Sequence, residues 1–162
     1  MKILVCGGRD FGNLPENLNP NRPLSDGSYS KVNYDHPDFE SKNKERHFIY
    51  QILDRLAFDR GLYSYYEGEP VMPDNITIIS GAAKGVDSVA IDWAITNWLS
   101  FKEFPANWDK YGKAAGYIRN KQMLEEGKPD LVVAFPGGRG TANMVKLAKE
   151  AGVEVIEIEY PI

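Results

Sequence analysis

Three short apolar runs in this chain each end at a glycine-rich turn. Ile3-Leu4-Val5-Cys6 meets Gly7-Gly8, Ile76-Thr77-Ile78-Ile79 meets Ser80-Gly81, and Leu131-Val132-Val133-Ala134-Phe135 meets Pro136-Gly137-Gly138. Runs of this length without polar alternation predict strands buried on both faces. Between them the period changes to that of a helix. Phe48, Ile49, Ile52, Leu53, Leu56 and Ala57 recur at three- and four-residue steps from Lys44 to Gly61, and Val86, Val89, Ala90, Trp93, Ala94 and Leu99 do so after the second run. Residues 112–126 and 141–150 read as further helices, 102–104 as a weak strand and 153–158 as a last, alternating one. Strands alternating with helices at this spacing predict an α/β, Rossmann-like fold: a mostly parallel sheet with helices on both faces.

The 162 residues suit a single domain, 1–162. Residues 13–43, rich in Asn and Pro without apolar periodicity, read as a loop insertion, and the Tyr-rich stretch 62–74 as a second variable connection. Lys+Arg number 19 against 23 Asp+Glu, a formal net charge of −4. That balance argues against nucleic acid as a partner, since no bulk field would draw the chain onto it. One cysteine, Cys6, and two histidines, His36 and His47, supply no metal-ligating set, and nothing calls for a cofactor. No apolar run reaches the roughly 18 residues of a membrane span, and the N-terminal apolar run is too short for a signal-peptide core. The expectation is a cytoplasmic protein without a membrane partner. Trp93 and Trp98 are expected to pack in the core or at an interface, since their helical spacing matches a buried face.

In such sheets a ligand sits beyond the carboxyl ends of the strands, where the strand order reverses. Candidate binding residues are therefore Gly7, Gly8, Arg9 and Asp10 after the first strand. Ser80, Gly81, Ala82, Lys84 and Gly85 follow the second, and Pro136, Gly137, Gly138, Arg139, Gly140 and Thr141 follow the third. Glycines let backbone N–H groups approach a ligand, and a helix start adds unpaired donors and a positive dipole end, which suit a phosphate. Each turn also carries a cation: Arg9, Lys84 or Arg139. Common nucleotide fingerprints fail. Asn13-Leu14 stands where a P-loop needs Lys and Ser/Thr, and Asn143 stands where the third dinucleotide glycine belongs.

Pro136-Gly137-Gly138-Arg139-Gly140-Thr141 resembles the PGGxGT signature of the SLOG superfamily, which includes the LOG phosphoribohydrolases and the DNA-processing DprA proteins. GGRDF at 7–11, SGAAKGVD at 80–87, and the run 106–116 followed by Ile118-Arg119-Asn120 are similar to the YspA/YpsA-related branch, found in phage and bacterial genomes. The resemblance implies a nucleotide-binding domain whose PGGxGT loop cradles a phosphate or ribose phosphate, in a homo-oligomer. It places Arg119, with Asn120 beside it, where LOG enzymes carry a catalytic arginine. Where those enzymes carry a glutamate, three residues after the threonine, this chain has Met144.

Cleaving an N-glycosidic bond builds positive charge on the sugar, which a carboxylate can stabilise while activating water. Methionine can do neither, and Asp87 is the substitute acid, unless it only caps its loop. Arg119 suits bidentate phosphate contact, against the alternative of a surface ion pair. Trp108 and Tyr111 could stack on a base. Two functions remain. One is binding of a nucleotide or nucleotide-derived ligand for sensing or sequestration. The other is a nucleoside 5′-monophosphate phosphoribohydrolase using a non-standard carboxylate, with Asp87 and Arg119 catalytic.

Overall fold

Ile3 and Val5 enter one hydrophobic core while Leu4 and Cys6, the residues between them, enter another. This alternation is what a strand buried on both faces must do. The computed structural model describes residues 1–14, 26 and 37–161, so most of the expected insertion, His36 included, lies outside the described residues. Strand β1 (Lys2–Cys6) leads to helix α1 (Phe39–Asp59), the hairpin β2 (Tyr63–Tyr66) and β3 (Glu69–Pro73), and then β4 (Thr77–Ser80). Helix α2 (Val86–Thr96), β5 (Ser100–Glu103), the single-turn α3 (Trp108–Tyr111) and a 3-10 turn at Gly112–Ala114 follow. The chain continues through α4 (Ala115–Gly127), β6 (Leu131–Ala134), α5 (Arg139–Glu150) and β7 (Glu154–Glu157).

Five strands form one parallel sheet in the order β5-β4-β1-β6-β7. The chain therefore builds outward from β1 to one edge, crosses back, and builds outward from β6 to the other. That is the Rossmann-like order, with its reversal between β1 and β6. Val5 pairs with Val133 and Cys6 with Ala134, so both strands end level. Ile49, Leu53 and Ala57 of α1 and Val86, Val89, Ala90 and Trp93 of α2 cover one face. Met123 of α4 and Met144 and Ala148 of α5 cover the other. Between α1 and α2 a buried ion pair joins Arg46 to Asp92 at 3.4 Å. Among the described residues no helix is long and apolar enough to cross a membrane.

Four expectations need correction. The first helix begins at Phe39, so 39–43 are not loop; its first turns are polar, with Lys44 and Glu40 paired at 3.2 Å, and carry no apolar rhythm. Residues 62–74 are not a plain connection but contain the hairpin β2–β3, turned at Glu67 and Gly68, both with positive φ. The weak strand starts two residues before its expected position, at Ser100. Trp93 is buried, but Trp98, 89% exposed, is not part of the core. The helix ends at Thr96, Trp98 takes a φ of +57°, and Leu99 turns inward in its place.

Candidate ligand-binding site

The loops after β1 and β6 meet beyond the sheet at the reversal point. Gly8 N donates to the Pro136 carbonyl at 2.8 Å, bridging the two strand ends. The loop after β4 locks onto the first from the other side, with Val86 N donating to Gly8 O at 3.2 Å. This contact requires glycine at 85: φ is +77°, and a Cβ would overlap Gly8 O and lie 2.7 Å from the Arg9 carbonyl. Gly137 is equally constrained, since its Cβ would overlap Thr141 Oγ1 and lie 2.8 Å from Gly8 N.

These loops bound a cavity of about 730 Å³. Cys6, Gly7, Gly8, Arg9 and Asp10 form one wall, Pro136 to Thr141 a second, and Trp108, Lys113, Gly116, Tyr117, Arg119, Asn120 and Met123 a third, with Ala83 and Asp87 completing the lining. Helix α5 starts in the second wall, and its cap residue Gly138 offers no side-chain oxygen to the first-turn N–H groups. Added Cβ atoms at Gly138 and Gly140 would meet no protein atom within 4 Å. Their glycines keep space open rather than relieve a clash. Asn120, on α4, holds this helix start in place: its Nδ2 donates to Gly140 O and to Asn143 Oδ1, each at 3.0 Å.

Two opposite charges lie deep in the cavity. Asp87 is 7% exposed, and its Oδ2 accepts from Ala83 N at 3.3 Å. Burial pushes its carboxyl up to about 6, against the opposing pull of Arg119, the Ala83 N–H and Arg9. Arg119 donates through Nη1 to Gly81 O at 2.6 Å and through Nε to Asn120 Oδ1 at 3.2 Å. Burial lowers its pKa, while Asp87 raises it. Burial also drives the Cys6 thiol well above its ordinary value, with the Asp87 charge adding to the effect, so Cys6 is no ready thiolate. Arg9, Lys113, Arg119 and Arg139 against Asp10 and Asp87 leave the lining cationic, and Asp10 is itself paired with Lys42 at 2.9 Å.

The structure thus brings together Gly7, Gly8, Arg9, Asp10, Asp87, Arg119, Asn120 and all of 136–141. It does not bring Ser80, Gly81, Ala82, Lys84 or Gly85 to the cavity wall. Lys84 is exposed, and the others stand behind the wall: Ser80 Oγ donates to Asp87 O at 2.9 Å and accepts from Ala82 N at 3.2 Å, and Gly81 O is taken by Arg119. Sequence reasoning missed Lys113, Tyr117, Met123 and Cys6 as lining residues. Only the third wall's position beside the sheet end reveals the first three. Met144 is fully buried among Leu4, Cys6, Val132 and Ala134. Its position faces the core, so it offers no place for a carboxylate toward the ligand. Among the described residues no group of His, Cys, Asp and Glu could hold a metal ion.

The chain is 36% identical over 94 residues to the Gene 61 protein of Mycobacterium phage D29, an alignment covering 52% of this chain and 72% of that protein. No protein-family profile matches the chain, and no solved structure does.

Proposed function

We propose that this chain, which belongs to the same family as the Gene 61 protein of Mycobacterium phage D29, binds a nucleotide or nucleotide-derived ribose phosphate, for sensing or sequestration. The observation that carries this reading is the uncapped start of α5, opened by Gly138 and Gly140 into a cavity with four cationic side chains. Unpaired N–H groups and the positive end of a helix stabilise an anion, and cations around them add to it. A volume of about 730 Å³ falls within the range of roughly 300–1,000 Å³ usual for small-molecule sites. The reversal point of a parallel sheet is where such ligands sit. The motifs that resemble the SLOG superfamily, GGRDF, SGAAKGVD and PGGRGT, form the three loops that meet here, which supports the same assignment.

Native mass spectrometry of the protein with nucleoside monophosphates, ADP-ribose, its cyclic form and NAD tests it, following intact complexes and released bases together. Retention of one ligand unchanged is expected; absence of any complex overturns the reading. A second reading, N-glycosidic hydrolysis, is favoured by one observation, the buried Asp87 carboxyl raised to about 6 beside Arg119. A carboxyl near neutrality can take a proton from water or stabilise a cationic sugar. Free base appearing with turnover, and lost in Asp87→Asn, would establish that reading instead.

A further inference from the structure

We propose that Trp108, backed by Arg9, is the base-recognition wall of this site. The base of a nucleoside phosphate stacks on the indole while its phosphate lies at the start of α5. The assignment rests on the reading of the cavity as a nucleotide site.

Helix α3 is a single turn with no buried residue, yet it carries a tryptophan that lines the cavity and remains 45% exposed. The indole stands partly exposed at the edge of a glycine-lined cavity, where its free surface is available to a ligand. Its placement is nonetheless well fixed. Asn107 Oδ1 accepts from Lys110 N at 3.1 Å and closes the turn. Gly112, at a φ of +56°, lets the chain fold back from α3 into α4. Gly116 lies against the indole, where a Cβ would come within 3.4 Å of its Cη2.

The Arg9 guanidinium sits over the ring, 5.0 Å from its centroid, and so ties this outer wall to the loop after β1. Tyr117, 46% exposed, lines the same cavity from α4. The lining is therefore of two kinds: aromatic faces on α3 and α4, and N–H donors with Arg139 on α5. A ligand with a flat π-face and an anion joined by a short linker uses both; an inorganic anion or a sugar phosphate uses only the second. Base–aromatic stacking tolerates any base, because every base has a π-face.

The test is isothermal titration of the full chain and of Trp108→Ala and Trp108→Phe with AMP, UMP, ADP-ribose and ribose 5-phosphate. The native chain should bind the best nucleotide about ten-fold or more tighter than ribose 5-phosphate. Trp108→Ala should weaken that nucleotide about ten-fold and leave ribose 5-phosphate within about two-fold, while Trp108→Phe keeps most of the nucleotide affinity. Nucleotide affinity unchanged in Trp108→Ala, or nucleotide and ribose 5-phosphate weakened equally, overturns the wall. Ribose 5-phosphate bound without any nucleotide does the same. Failure of the native chain to bind all four overturns the nucleotide site itself, and this assignment with it.

Discussion

The Asp87 carboxylate and the Arg119 guanidinium meet over one glycine: a Cβ on Gly81 would lie 2.8 Å from Asp87 Oδ2 and would overlap Arg119 Nη1. The two side chains come from α2 and α4, helices on opposite faces of the sheet. Beyond the end of β4 no sheet separates the layers, so residues from both can converge on its loop. Arg119 is held there by the Gly81 carbonyl and by Asn120, and Asn120 in turn holds the start of α5. One chain of hydrogen bonds thus links the loop after β4, the arginine and the start of α5, with the acid beside it. A ligand seated at α5 would feel both charges.

Asp87 makes stability depend on pH in a direction opposite to most paired carboxylates. Its folded carboxyl titrates near 6 against an ordinary 3.8, so the folded chain holds this proton more tightly than the unfolded chain. The associated stability is full below the ordinary value and is lost as pH rises through the folded one, a loss of about 3 kcal/mol across the window. Asp87→Asn keeps an oxygen to accept from Ala83 N and removes the buried charge. Thermal unfolding of both chains from pH 4 to 8 should show the variant gaining on the native chain between about pH 4 and 6, with the difference levelling off above that. A difference that stays constant across this range contradicts the assignment.

Gly137 and Gly140 should separate folding from binding, although they stand in the same loop. Gly140→Ala adds a Cβ that meets no protein atom, inside the first turn of α5, where alanine is favoured over glycine by up to about 1 kcal/mol. Its melting temperature should hold or rise while nucleotide affinity falls, because the methyl group enters space the ligand needs. Gly137→Ala collides with Thr141 and with the Gly8 backbone, so it should lower the melting temperature by several degrees. Nucleotide affinity retained in Gly140→Ala would remove that position from the ligand's path.

The legible parts of the fold were those in which one residue has one environment. Ile3 to Cys6, Ile78-Ile79 and Leu131 to Ala134 are apolar because both faces of their strands are covered, and their glycine turns mark the ends that form the site. The hairpin was hidden because Tyr65, Tyr66 and Val71 are exposed and Glu67, with φ at +50°, gives no sign of a turn. By counting along the chain, Met144 stands where the LOG enzymes that the PGGRGT motif resembles carry a glutamate, yet the helix face there belongs to the core. Lys113, in the 3-10 turn, and Tyr117, on α4, reach the cavity only because α4 packs against α5 and β4, a relationship between distant elements that local pattern does not carry.

Trp98 sits where the helix end favours glycine. After α2, Leu99 N donates to Ala94 O at 2.8 Å and Trp98 N to Ile95 O at 3.2 Å, the paired bonds of a Schellman ending. This geometry puts Trp98 at a φ of +57°, which costs a residue with a Cβ about 1 kcal/mol. Its indole, 89% exposed, gains little packing in return. Trp98→Gly should therefore raise the melting temperature by about 2–4 °C in a chain of this size. Trp98→Ala, which loses the ring but keeps the Cβ, should change it little. Calorimetry of the two variants checks the account: a lower melting temperature for Trp98→Gly would mean that the indole, not the backbone, governs this corner.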